Sequence, residues 1–292
     1  MPVASGVQIT AASNVLVTTK FPPGTVTATT VPDGKTYFED SEVQGDSPQK
    51  GILSGDTLYL ATYRRIIAVD PSGTSRTIPL PSARPTTTPR CSPARGLNYD
   101  PTRSQLMAIA AVYGHVFVYV SSPTNGAIVD LQDGRRLDLI DAGYALAMTA
   151  GSDSKLYAAT VDTCRSSTVV VRRIDPATMR EEGTIDTGRA PRPVGMRLIA
   201  TTGGGVYLHD VTDTSAQLLR VDVDGSQPIS LPQDSGSLSV AAPDGTLYLF
   251  GGRARNVITR FDAKTGTVVT VDAAQGPAGS TIGALFFSSS RR

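Results

Sequence analysis

The chain has 292 residues, enough for one large domain or two ordinary ones. With 40% hydrophobic and 18% charged residues it reads as globular and not as a disordered chain. A formal net charge of +1 argues against a nucleic-acid partner, and no apolar run approaches the ~18–20 residues of a membrane span.

Taken in order, the first residues, "MPVASGVQITAASNVLVTT", lack a charged start followed by an apolar block, so they read as folded chain and not as a signal peptide. "GVQITAAS", "NVLVTTKFPPG" and "TVTATTVPDG" read as three strands, and "FEDSEVQGD" as an acidic link. From Ser54, "SGDTLYLATYRRIIAVDPSGTSRTI" gives a turn and strand, a loop, a strand ending in Asp, a Gly-bearing turn and another strand. The same phrase returns as "GSDSKLYAATVDTCRSSTVVVRRIDPATM" from Gly151 and as "APDGTLYLFGGRARNVITRFDAKTGTVV" from Ala242. Segments such as "IIAV" and "VITRF" alternate with period two and are rich in Val, Ile and Thr, which marks strands. The turns "DPSG", "PTNG", "DVDG" and "AKTG" supply the Gly, Asn and Asp that tight hairpins need. No long stretch shows capped apolar spacing of three and four. The reading is all-β.

First strands centred near Ile52, Leu97, Leu146, Met196, Leu238 and Ile282 recur roughly every 42–50 residues, the length of a four-stranded propeller blade. Five copies are complete, and the sixth, "STIGALFFSSSRR", contributes one strand. The expectation is a single β-propeller domain over residues 1–292 with six four-stranded blades, its closing blade built from 281–292 plus 1–34. Seven blades follow if the segment from Pro81 to Arg95 hides a strand. Two stacked β-sandwiches would account for the turns but not for the periodicity.

"APDGTLYLF", "RGLNYDPTRSQLMAIA" and "RPVGMRLIATTGGGVYL" resemble blades of the six-bladed propellers of the gluconolactonase, strictosidine-synthase and NHL-repeat group. That group includes metal-dependent lactonases, cyclising enzymes and binding scaffolds, so the resemblance implies a fold without selecting a function. Its lactonases hold a central metal with a Glu and with Asn and Asp side chains on inner strands. Here "KGILSGD" has no Glu at the expected place, and Asn98 in "GLNYD" has no evident partner set. No metal site and no cofactor are expected.

In such a blade the loops joining strands two and three share an upper face with the links between blades, and a ligand is expected there. Arg95 and Arg192 precede inner strands and, with Arg253, are the candidate anion binders, because guanidinium groups clamp carboxylate or phosphate bidentately. Arg135 is expected farther from the axis. The bland alternative is that each Arg is solvated and paired with a nearby acid. Asn98 and Tyr144 are candidate orienting donors. His115 and His209, expected on the upper face, are candidate acid/base residues, with simple hydrogen bonding as the alternative. No metal-ligand His spacing, phosphate loop or nucleophile elbow occurs.

Cys91 and Cys164 both fall on the expected upper face. A disulfide between them would pin the Pro/Thr-rich link and place the chain outside the cytoplasm, whereas free thiols would fit a cytoplasmic protein. The functional expectation is a small-molecule partner, polar or anionic, at the upper mouth of the channel. Cofactor-independent lyase, cyclase or hydrolase chemistry would extend that reading, and a non-catalytic protein-interaction scaffold is the alternative.

Overall fold

The structure is a computed structural model. It describes residues 7–9, 15–20, 25–30, 36–40, 50–61, 65–70, 72–82, 105–121, 125–140, 142–162, 168–191, 196–202, 204–211, 216–222, 225–232, 235, 238–242, 244–251 and 254–272. Among these residues the regular elements are all strands, in six four-stranded sheets whose strands pair in chain order. No helix among them is long and apolar enough to cross a membrane.

The chain falls into two compact units, and the described residues divide between them at Tyr144 and Ala145. In the first unit, one sheet holds β1 (Val7–Ile9), β2 (Val15–Lys20), β3 (Thr25–Thr30) and β4 (Thr36–Asp40). The next holds β5 (Lys50–Ser54), β6 (Thr57–Ala61), β7 (Arg65–Val69) and β8 (Ser75–Pro79). The third holds β9 (Gln105–Val112), β10 (His115–Ser121), β11 (Asn125–Asp130) and β12 (Arg136–Ile140). First strands lie side by side, β5 against both β1 and β9. Tyr59, Ala61, Ile66 and Ala68 pack on Ile109, Val116, Val118, Val120, Ala127 and Val129, a core formed between two sheet faces. Covered on both faces, β10 is buried along its length from Val116, whereas β8, a fourth strand, is largely exposed.

The last three sheets hold β13 (Ala142–Ala150), β14 (Leu156–Asp162), β15 (Val169–Asp175) and β16 (Arg180–Asp186); then β17 (Met196–Ala200), β18 (Val206–Val211), β19 (Ala216–Asp222) and β20 (Gly225–Ile229). The final sheet is β21 (Leu238–Ala241), β22 (Thr246–Gly251), β23 (Ala254–Asp262) and β24 (Val268–Asp272). Here too the first strands β17 and β21 are neighbours. Ile199, Tyr207 and Leu218 of one sheet pack on Leu247, Leu249 and Phe261 of the next. Tyr207 meets Phe261 edge-on, with ring centroids 5.4 Å apart.

Two strands differ from the sequence expectation. The first strand of the third sheet is Gln105–Val112, and Leu97 lies outside the described residues. The long alternation of apolar residues starts at Gln105, after the "DP" that follows "GLNYD". One turn confirms the shifted phase. Tyr113 and Gly114, both at positive φ (51° and 79°), form the two-residue reversal between β9 and β10. Secondly, "FED", expected to open the acidic link, ends β4, with Val26, Thr27 and Ala28 paired to Asp40, Glu39 and Phe38. The N-terminal residues therefore supply four strands where three were expected. Residues 281–292 and the Pro81–Arg95 link beyond Ser82 lie outside the described residues.

Candidate functional site

Among the described residues, one cationic side chain stands apart from the other charged groups. Arg197 lies on β17 and is directly opposed by His209 on β18. Directly opposed residues of an antiparallel pair point to the same face of the sheet. That face is fixed by the neighbours of this pair, because Ile199, Tyr207 and Leu218 all pack against the β21–β24 sheet. His209 follows them. It is fully buried, and its Nδ1 lies 3.2 Å from the Oγ of Ser239 on β21. Ser239 is opposed by Leu249, which belongs to the same apolar layer, and is half-buried. Arg197, His209 and Ser239 therefore face one seam between two first strands, with an apolar layer beneath them.

The Arg197 guanidinium is reached by solvent, yet burial by the protein around it holds its pKa below the ordinary value. No acidic group among the described residues offsets this desolvation. An unneutralised cation in such a place favours an incoming anion.

The other charged clusters are satisfied internally. At one end of the third sheet the buried Asp130 accepts hydrogen bonds from the Gln132 amide (3.0 Å) and from Arg135 Nη2 (2.7 Å), and lies 2.9 Å from His115 Nδ1. Burial works to raise the Asp130 pKa, but these hydrogen bonds and the nearby His115 outweigh it and hold the carboxyl below its usual range. His115, Asp130 and Asp133 present ligand atoms within 4.8 Å of one another, as a metal site requires. The Arg135 guanidinium, however, spans both carboxylates, with Nε 3.2 Å from Asp133, and already supplies the positive charge. In the β13–β16 sheet, Lys155 pairs with Asp175 and Glu182, and Arg173 with Asp153 and Glu182. Tyr157 donates to Asp153, and burial together with that carboxylate pushes the phenol up to about 12.

The candidates from sequence are distributed unevenly. Arg95, Arg192, Arg253, Asn98, Cys91 and Cys164 lie outside the described residues, and of Tyr144 only its place in β13 is described. His115 opens β10, next to the turn between the first and second strands of its sheet, at the end expected to be the lower one, because the strand phase there is shifted. His209 is in the middle of β18 and not in a loop. Arg135 lies in the turn between the third and fourth strands, away from the first strand, as expected. Sequence reasoning passed over Arg197 and Ser239. The signal for Arg197 was present: a lone charge inside the apolar strand "MRLIA".

The chain is similar to several solved structures across nearly its whole length. A protein from Lactobacillus plantarum matches at 13% identity and a TM-score of 0.61, covering 94% of this chain and 86% of that one. A candidate 6-phosphogluconolactonase from Bacteroides fragilis matches at 13% identity and 0.60, covering 91% and 83%. The WD40 domain of Pan2 from Neurospora crassa matches at 11% identity and 0.59, covering 94% and 80%. The fold is a β-propeller. Arg197 and Ser239 lie on the first strands of two neighbouring sheets. No family model and no curated protein matches the chain. At these identities the likeness establishes the propeller fold alone.

Proposed function

We propose that the chain is one closed propeller that binds a small anionic organic molecule at the first strands of its sheets, with Arg197 as the anchoring cation. One observation carries this reading. Arg197 is a solvent-reachable guanidinium on a first strand, and no acidic group among the described residues offsets its burial by the surrounding protein. A carboxylate or phosphate would restore the lost hydration through charge-assisted hydrogen bonds. Arg95, Arg192 and Arg253, with Asn98 and Tyr144, are proposed as further contacts to the same ligand. The experiment is a thermal-shift screen of carboxylates and phosphate esters beside their amides and alcohols. At a hundredfold excess over Kd, binding adds about 2.7 kcal/mol to stability. The reading expects charged ligands to raise Tm and the neutral analogues to have no effect. A response to neutral analogues alone would end it.

The non-catalytic scaffold reading predicts a contiguous exposed apolar patch. Among the described residues the large exposed hydrophobic side chains are Tyr113 and Val269, on different sheets. This favours the small-molecule reading.

A further inference from the structure

We propose that Ser239 and His209 form a nucleophile–base pair that transfers an acyl group from an ester or lactone to Ser239 Oγ. The inference rests on the ligand reading above, because Arg197 would hold the anionic group of that ester. The geometry has three parts. His209 Nδ1 and Ser239 Oγ are 3.2 Å apart, the separation of a nucleophile and a base that tightens when substrate binds. His209 is fully buried and fixed in the middle of β18, so its ring is held toward β21, whereas Ser239 is half-buried and can meet a substrate. Arg197 is opposed to His209 in the β17–β18 pair and shares its face, which puts an anion anchor beside the reacting hydroxyl.

The chemistry balances with water as the only co-reactant. With its ring proton on Nε2, His209 accepts the Ser239 hydroxyl proton at Nδ1 as Oγ attacks the carbonyl carbon. The ester C–O bond breaks, and the departing alkoxide takes that proton from Nδ1, leaving an acyl ester on Ser239. Water then attacks the acyl carbon, gives one proton to Nδ1, and releases the carboxylic acid as Oγ recovers its proton. One water is consumed for each acid and alcohol formed. No oxidation, metal or cofactor enters. A histidine that merely hydrogen-bonds a serine between two sheets would show none of this reactivity.

The test is covalent labelling of the full chain with a fluorophosphonate, read by intact mass and by peptide mapping. The expected result is a single adduct on Ser239, absent in Ser239→Ala, together with hydrolysis of p-nitrophenyl esters that carry a terminal carboxylate. His209→Gln should slow labelling by about 10²–10⁴-fold, the usual contribution of a positioned base. Because His209 is buried and its variant can fail to fold, Ser239→Cys supplies a second reading. Its thiol should react with iodoacetamide faster at pH 7 than a free cysteine does, since His209 withdraws its proton. An unlabelled protein, an adduct elsewhere, or a thiol in Ser239→Cys that reacts no faster than a free cysteine would overturn the pair. Loss of anion binding in Arg197→Ala without any label on Ser239 would overturn the pair and leave the anion site standing. A label on Ser239 with anion binding insensitive to Arg197→Ala would support the pair and remove the anion site.

Discussion

Replacing Asp130 by Ala should be among the more damaging single changes in the first unit, and its cost can be worked from the contacts. The carboxylate is fully buried, accepts from the Gln132 amide and from Arg135, and lies within hydrogen-bond distance of His115. A charge-assisted hydrogen bond contributes about 1.5–3 kcal/mol, and removing one partner of a fully buried pair costs about 3–5 kcal/mol. Arg135 and His115 are each about one-third exposed (35% and 34%) and regain water when released, so the expected loss is smaller, about 2–4 kcal/mol. At about 2–4 °C per kcal/mol for a chain near this size, Tm should fall by roughly 4–16 °C. The sign of the pH dependence follows from the direction of the shift. The folded Asp130 has a lowered pKa. Its contribution is therefore complete above the unfolded value of about 3.9 and is lost as pH falls through the folded value. Melting curves of the parent and Asp130→Ala should thus lie well apart at neutral pH and converge in acid. Equal melting temperatures at pH 7, or a gap that widens on acidification, would refute the reasoning.

The hairpin residue Tyr113 occupies the left-handed region (φ 51°) with its side chain 77% exposed, so Tyr113→Asn should raise stability by about 0.5–1 kcal/mol in urea titrations. A lower midpoint would show that the ring makes a contact worth more than the strain. An added methyl at Gly126 would overlap the hydroxyl of Tyr119, which is fully buried and donates to the Ala142 carbonyl at 2.7 Å. Gly126→Ala should cost about 1–3 kcal/mol by thermal denaturation, and an unchanged Tm would mean the ring moves freely.

Much of the strand pattern was legible because it depends on local chemistry. "GTLYLF", "NVITRF" and "TVVTVD" fall within or across β22, β23 and β24, and the "AKTG" turn places Gly266 at φ 72° between the last two. The strand phase at "RGLNYDPTRS" was not legible, because a short apolar pair reads like the start of a strand, whereas the four strands of the third sheet begin at Gln105. Phe38–Asp40, the end of β4, reads as the start of a link for the opposite reason. Its acidic end resembles a solvated loop, while its pairing with Val26, Thr27 and Ala28 is a tertiary fact. The site was less legible than the fold. His209 was noticed as a rare residue, but "VYLHDV" placed it in a buried strand, and its neighbour Ser239 is 30 residues away in sequence. Arg197 was hidden among other arginines. What distinguishes it is burial by the surrounding protein that no acidic group among the described residues offsets, which composition does not reveal.

The central claim is that an anion is held by Arg197, and calorimetric titration of the most stabilising carboxylate or phosphate tests it directly. The parent, Arg197→Ala, Arg197→Lys and Arg135→Ala should be compared at one salt concentration. Loss of the charge-assisted contact in Arg197→Ala should weaken binding by roughly ten- to a hundredfold, equivalent to ~1.5–3 kcal/mol. Arg197→Lys should retain part of the affinity, because it keeps the charge but not the planar fork. Arg135→Ala should bind as the parent does, since Arg135 is already committed to Asp130 and Asp133. If Arg197→Ala binds the anion within about twofold of the parent, a difference worth only ~0.4 kcal/mol, the account is contradicted.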